Sequence, residues 1–276
     1  MIAIKENKLI QSIELDILKN VASFCEQNNL RYFLAGGTLL GAIRHNGFIP
    51  WDDDVDISMP REDYERLIEL FPNVGRYRII HISNSKYYAH PFAKVVDTET
   101  ILEELGREVV PCKDMGVYID IFPIDGVKDN SIITKHNFTK NYMYAYHLGY
   151  AIPAKKTAPF SFKIKRLIWI LRFSIPGRNW HYNRLSKKLR KNVFDSSKFV
   201  GSSFGQKGEK EIIEQSCFSD YVLIPFEKML FRCPIGYDRY LTQMYGDYMQ
   251  LPPVEERISA HNTKIYWKND SYGVQQ

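Results

Sequence analysis

Aspartate fills four of the five positions from 52 to 56, as Asp52, Asp53, Asp54 and Asp56, within a run that otherwise alternates apolar residues. Trp51 to Met59 reads WDDDVDISM, with Val55, Ile57 and Met59 two apart, the period of a half-buried strand. In extended chain Asp52, Asp54 and Asp56 project to one face and Asp53 to the other. Carboxylates aligned on one face repel, and each raises the pKa of its neighbours unless a cation sits between them. The segment therefore predicts a metal held by Asp54 and Asp56, with Asp52 as a weaker candidate and Asp53 structural. A solvated loop or a helix-capping run would not account for the flanking apolar alternation.

The residues before the cluster point to a phosphate. Ile10, Ile13, Ile17, Val21 and Phe24 repeat at helical spacing and predict an amphipathic helix over 8–29. Leu30 to Ala35 reads as a short buried strand, which Gly36-Gly37 breaks. Thr38 can then cap a helix beginning with Leu39 to Ile43. A helix N-terminus presents free N–H groups and the positive dipole end, and glycines let backbone approach a phosphate closely. Gly36, Gly37 and Thr38 are thus candidate substrate-binding residues. Arg44 and His45, between this turn and the aspartates, are candidate phosphate contacts, as is Lys94 in the strand-like Phe92 to Val96. For all three, a surface or helix-end role is equally open. A third carboxylate is expected from a neighbouring strand, and Asp120 at the centre of GVYIDIF (116–122) is the candidate, since a lone buried aspartate needs a metal or a partner. Asp125, in Pro-Ile-Asp-Gly, reads as a turn residue.

These motifs resemble a known family. Gly36-Gly37-Thr38 followed by Asp54-Val-Asp56 is similar to the nucleotidyltransferase-fold signature. The longer GGTLLGAIRHNGFIPWDDDVDISMPREDY, the IDIFPIDG run at 119–126, and YLTQMYGDYMQLPP at 240–253 followed by Arg257 and His261 resemble the LicD family of phosphotransferases. The resemblance implies a Mg²⁺- or Mn²⁺-dependent transferase. Its donor would be CDP-choline or a related CDP-alcohol such as CDP-ribitol, and its acceptor a sugar hydroxyl of a bacterial surface glycan (teichoic acid, lipopolysaccharide or capsule precursor). The family's metal carboxylates carry over to Asp54, Asp56 and Asp120, and His261 becomes a candidate base or substrate contact. Attack at the distal phosphorus with release of CMP follows from the family, not from the motif. A quaternary ammonium has no N–H donors and is recognised by aromatic faces; Trp51, Tyr87, Tyr88 and Tyr118 lie near the motifs.

Two other enzyme classes use similar aspartates. A nucleotidyltransferase would need a triphosphate. A glycosyltransferase Asp-x-Asp motif normally follows a nucleotide-binding βαβ region, for which Asp54 is too near the N-terminus. A non-catalytic glycan binder would not need Asp54, Asp56 and Asp120 together.

Charge divides the chain of 276 residues unevenly. Ser131 to Phe194 carries 14 Lys or Arg and no Asp or Glu, leaving 23 basic and 32 acidic residues elsewhere, a balance of −9. The expected fold is α+β, a nucleotidyltransferase-like mixed β-sheet core flanked by helices, with a basic helical insertion. Residues 1–129 form the catalytic core, 130–200 the basic, mainly helical insertion, and 201–276 a C-terminal segment that closes the active site. Within the insertion, large apolar residues mixed with cations over about 155–191 have the composition of an interfacial helix, or of a solvated face over an ordinary core. No nucleic-acid reader motif accompanies the charge. Cysteines at 25, 112, 217 and 233 show no metal or redox spacing, as expected of reduced thiols. The N-terminus lacks the charged-then-apolar order of a signal peptide, and no apolar run reaches the ~20 residues of a membrane span. The expected location is cytoplasmic, free or peripheral on the inner face of the membrane near a lipid-linked acceptor.

Overall fold

The computed structural model describes residues 2–4, 6–128, 131–150, 152–173, 177–205, 207–258 and 262–268. After strand β1 (Ile2–Ile4), helix α1 (Asn7–Gln27) buries the expected stripe, Ile13, Ile17 and Val21, against the sheet. Next come β2 (Phe33–Leu34), α2 (Gly36–His45), β3 (Asp56–Pro60), α3 (Arg61–Leu70), β4 (Tyr77–Ile80), β5 (Ala93–Asp97), β6 (Thr100–Glu104) and β7 (Tyr118–Val127). Three helices then occupy the basic stretch, α4 (Ser131–Tyr150), α5 (Phe160–Phe173) and α6 (Arg178–Leu189). The chain returns through β8 (Phe199–Gly201), β9 (Ile213–Glu214), the hairpin β10 (Tyr221–Phe226) and β11 (Met229–Pro234), helix α7 (Tyr237–Tyr245) and β12 (Thr263–Trp267).

The architecture is mixed α and β. The central sheet runs β2-β3-β7-β5-β4, and β8 and β9 extend it from β7. Only the β3–β7 pairing is parallel; β2–β3, β5–β7 and β4–β5 are antiparallel. A separate three-stranded sheet, β1-β12-β6, brings both ends of the described chain together. Cys25, Cys112, Cys217 and Cys233 are free and buried.

Several local expectations are corrected. Only Asp56 of the acidic cluster lies in a strand; Asp52 to Val55 form extended coil leading into it. Helix α2 begins at Gly36 after extended Ala35, so Thr38 sits inside the first turn rather than at the cap. Asp125 is not a turn residue, because β7 continues through it. Pro123, which donates no backbone hydrogen bond, falls between two partners on that side of β7. The ladder with β5 ends at Ile121 and that with β8 starts at Asp125. Asp125 instead accepts both arms of Arg61, at 2.8 and 2.7 Å, in a buried pair.

Candidate active site

Strand register builds the site. Parallel pairing sets Asp56 of β3 beside Asp120 of β7, and antiparallel pairing sets Lys94 of β5 beside the same Asp120. Residues paired across neighbouring strands share a face, so two carboxylates and an ammonium stand in a row across three strands. Lys94 Nζ donates to Asp120 Oδ1, and the same ammonium lies 3.4 Å from the centre of the Tyr118 ring. Lys94 is buried among these partners and does not lie at the surface.

The two carboxylates of the row, Asp56 and Asp120, line a cavity of about 310 Å³ together with Asp52, Asp54, Ser58 and Phe122. The alternation read from the sequence holds through the coil as well as the strand. Asp52, Asp54 and Asp56 face this cavity, whereas Asp53 faces a small void beside Glu14 and Tyr118. Side chains of α1 hold the acidic coil in place, with Asn7 Nδ2 and Gln11 Nε2 donating to the Asp52 carbonyl at 3.1 and 2.8 Å.

The glycine turn makes room for carboxylates. Gly36 has a left-handed φ of +53°, and a Cβ there would stand 2.7 Å from Asp56 Oδ2; at Gly37 it would stand 2.6 Å from Asp52 Oδ2. The N-terminal end of α2 therefore lies against this chain's own acidic groups, where its positive dipole end favours them. The Thr38 hydroxyl accepts the Asp56 N–H at 2.8 Å, locking β3 to that helix end.

Electrostatically the site concentrates negative charge. Burial pushes the Asp56 carboxyl well above its ordinary range, and Asp54 and Asp120 push it further, with Lys94 opposing them. Glu14, on the buried face of α1, is raised well above its ordinary value by burial and then by Asp54, Asp53, Asp52 and Asp56. Its Oε2 is buried with no hydrogen-bond partner among the described residues. Glu14 was missed in the sequence, yet it had a signal: four residues after Ile10 and three before Ile17, it falls on the apolar stripe. The donor set is entirely carboxylate oxygen, which suits a hard divalent cation. Among the described residues no group of three His, Cys, Asp or Glu could hold a metal unaided.

The C-terminal part also supplies walls, two of them (Lys207 and Glu211) from residues the sequence did not single out. Lys207, Glu211, Tyr240 and Tyr245 line the cavity opposite the aspartates. Gly36 N–H donates to the Tyr240 hydroxyl at 3.5 Å, and the Lys207 ammonium lies 5.3 Å from the Tyr245 ring centre. Glu211 accepts the Lys207 N–H at 2.7 Å, and burial raises its carboxyl to about 7. Nothing in KGEKE (207–211) separates these residues from an ordinary charged loop.

Arg44 and His45 are placed elsewhere. They end α2, about 12 Å along the axis from its glycines. Arg44 Nη1 donates to the carbonyls of Tyr248 at 3.0 Å and Gln250 at 3.3 Å, and its Nε lies 3.0 Å from His45 Nε2. His45 packs edge-on against Trp51, and burial and then Arg44 lower its pKa. His261 lies outside the described residues.

Of the four aromatics expected near the motifs, Tyr118 already faces Lys94, and Trp51 faces Arg257 at 5.4 Å. Tyr87 and Tyr88 line a second, largely apolar chamber of about 480 Å³, with His90, Glu104 and Tyr146 among its walls. Phe92 and Phe204 border both cavities, so the chamber adjoins the acidic site.

A family model described as LicD/FKTN/FKRP, nucleotidyltransferase domain, matches residues 29–163, which span the glycine turn, the aspartates, Lys94 and Asp120. The chain carries a LicD-family domain. Along nearly its whole length it is similar to a LicD protein, the lipopolysaccharide cholinephosphotransferase LicD of Haemophilus influenzae. The two are 29% identical over 266 residues, 93% of this chain and 96% of that protein. A shorter stretch of 43 residues is 51% identical to human ribitol 5-phosphate transferase FKRP, covering 16% of this chain and 9% of that protein. An uncharacterised Rickettsia typhi protein, RT0683, is 40% identical over 81 residues, 28% of this chain and 25% of that protein.

Proposed function

We propose that this LicD-family chain is a phosphotransferase that moves phosphocholine from CDP-choline to a sugar hydroxyl of a bacterial surface glycan, releasing CMP. The observation that carries this reading is the row Asp56–Asp120–Lys94 with Asp54 beside it, in a chain similar over 93% of its length to a cholinephosphotransferase. The core is read as nucleotidyltransferase-like, because the glycine turn, acidic coil and parallel carboxylate strand meet at one cavity.

Asp54 and Asp56 would hold Mg²⁺ or Mn²⁺, two carboxylates leaving coordination positions for substrate phosphates. When bound, the metal supplies charge neutralisation on the diphosphate and on the leaving CMP. Asp120, positioned by Lys94, orients the acceptor hydroxyl and receives its proton as the acceptor oxygen bonds to the distal phosphorus and the bond to CMP breaks. Lys207, which lines the same cavity, supplies a cation for phosphate oxygens. The aromatic chamber beside Phe92 takes the trimethylammonium head against Tyr87 and His90, with the Glu104 carboxylate in its wall. The local likeness to a ribitol 5-phosphate transferase favours ribitol phosphate as the second reading of the transferred group.

The test is thermal stability against CDP-choline, CDP-ribitol, CDP-glycerol and ATP, each with Mg²⁺ and with EDTA. A donor at about 100 times its dissociation constant adds roughly 2.7 kcal/mol. A Mg²⁺-dependent shift with CDP-choline is expected. A shift with ATP alone would overturn the reading in favour of nucleotidyl transfer. In Asp54→Asn and Asp56→Asn, donor affinity and transfer activity should fall by about a hundredfold or more, which leaves about 0.4 kcal/mol of the shift or less. In EDTA, Asp56→Asn should melt no lower than wild type and should gain about 1 kcal/mol, because the amide relieves the buried repulsion.

A further inference from the structure

We infer that α5 is an interfacial helix that seats this protein on an anionic lipid surface. Its outward face carries Phe160, Ile164, Leu167, Ile168 and Leu171, each between 46% and 78% exposed. At about 100° per residue these five fall within an arc of about 100°, so they form one continuous apolar stripe. Lys163 and Lys165, both exposed, fall on opposite sides of that arc. Buried Arg166 and half-buried Phe162 lie on the far side of the helix and wall the aromatic chamber. A stripe bounded on both sides by lysines is the geometry of a helix lying in the plane of a membrane, its apolar residues among acyl chains and its ammonium groups at the headgroups.

Charge selects the occupant. The stretch containing α5 holds 14 Lys or Arg and no Asp or Glu, against −9 for the remainder. A second copy stacked on the stripe would bring two such blocks together within the ~8 Å over which salt fails to screen them. An anionic bilayer complements both the stripe and the charge. No helix among the described residues is long and apolar enough to cross a membrane, so the contact is interfacial. Because the inward face of the same helix walls the chamber beside the acidic cavity, docking places that cavity near the lipid surface, where a lipid-linked acceptor is within reach.

The test uses the full chain in vesicle flotation without any nucleotide, which makes it independent of the donor assignment. Vesicles of phosphatidylcholine containing phosphatidylglycerol are compared with phosphatidylcholine alone. Wild type should float with the anionic vesicles and not with the neutral ones. Lys163→Gln with Lys165→Gln should weaken that binding about thirtyfold, on about a fivefold loss per cation, and Ile168→Ser with Leu171→Ser by at least as much. All four side chains are exposed, so melting temperatures should match wild type; if the apolar pair melts early, the lysine pair still decides. Equal flotation with both vesicle types, or anionic binding that both double variants retain, would overturn the inference. So would a dimer that Ile168→Ser with Leu171→Ser dissociates, or capture by an acidic protein without vesicle binding.

Discussion

Glu211 illustrates how much a single side chain of the acidic cavity depends on its surroundings. Its carboxyl is buried and receives one backbone N–H, so burial dominates and raises its pKa from 4.5 to about 7. A carboxyl whose folded pKa is raised stabilises the fold below its unfolded pKa. That contribution is lost as pH climbs from about 4.5 through 7. The shift corresponds to about 3 kcal/mol at pH 8. Glu211→Gln keeps an acceptor for Lys207 and removes the titration. In metal-free protein it should raise the melting temperature at pH 8, leave it nearly unchanged at pH 4, and flatten the slope between. A slope identical to wild type would place the titrating group elsewhere. Asp56 belongs to the same class, raised by burial and by Asp54 and Asp120, but there a metal can supply the missing charge.

At the scale of elements, β7 does two jobs on its two faces. Asp120, Phe122 and Ile124 line the acidic cavity. Asp125, an odd number of residues from Asp120, points to the opposite face and takes Arg61 at the start of α3. That buried pair fixes α3 to the strand carrying the site. Beside it, His81 Nε2 lies 2.9 Å from the Tyr182 hydroxyl, tying α6 to the same region, and burial lowers the His81 pKa to about 4. Asp125→Ala would leave the Arg61 guanidinium buried and unpaired and should cost about 3–5 kcal/mol in urea unfolding. Arg61→Ala with Asp125→Ala should cost much less than the sum of the two single changes. Additive losses would show that the two side chains act separately.

At the scale of the whole molecule, the site is closed by chain segments that are far apart in sequence. Helix α2 touches the acidic cavity with its glycines and holds the 246–251 loop with its last turn, through Arg44 to Tyr248 and Gln250. Arg44→Ala should loosen this loop, removing charge-assisted bonds worth about 1.5–3 kcal/mol. Hydrogen exchange over residues 246–251 should quicken by tenfold or more, while exchange at Asp56 and Asp120 stays slow. An Arg44→Ala chain with unchanged exchange but weakened donor binding would restore Arg44 to the phosphate. The uneven charge acts at this scale too, because a basic helical stretch and an acidic body orient the molecule at any charged surface.

What the sequence by itself determined is local and periodic. The α1 stripe and the alternation that sends Asp52, Asp54 and Asp56 to one side and Asp53 to the other both follow from residue spacing along one segment. The choice of Asp120 followed from the cost of a lone carboxylate in an apolar strand. Tertiary structure decided everything that depends on register and return. Parallel pairing put Asp120 beside Asp56, antiparallel pairing put Lys94 beside Asp120, and chain return brought Lys207, Glu211 and Tyr240 to the opposite wall. It also drew Arg44 away to a carbonyl loop and turned Asp125 from an apparent turn into a buried ion pair. The physical reason is that spacing along a chain fixes which side of an element a residue faces, whereas its neighbours across strands are fixed only when burial of the whole core selects one register.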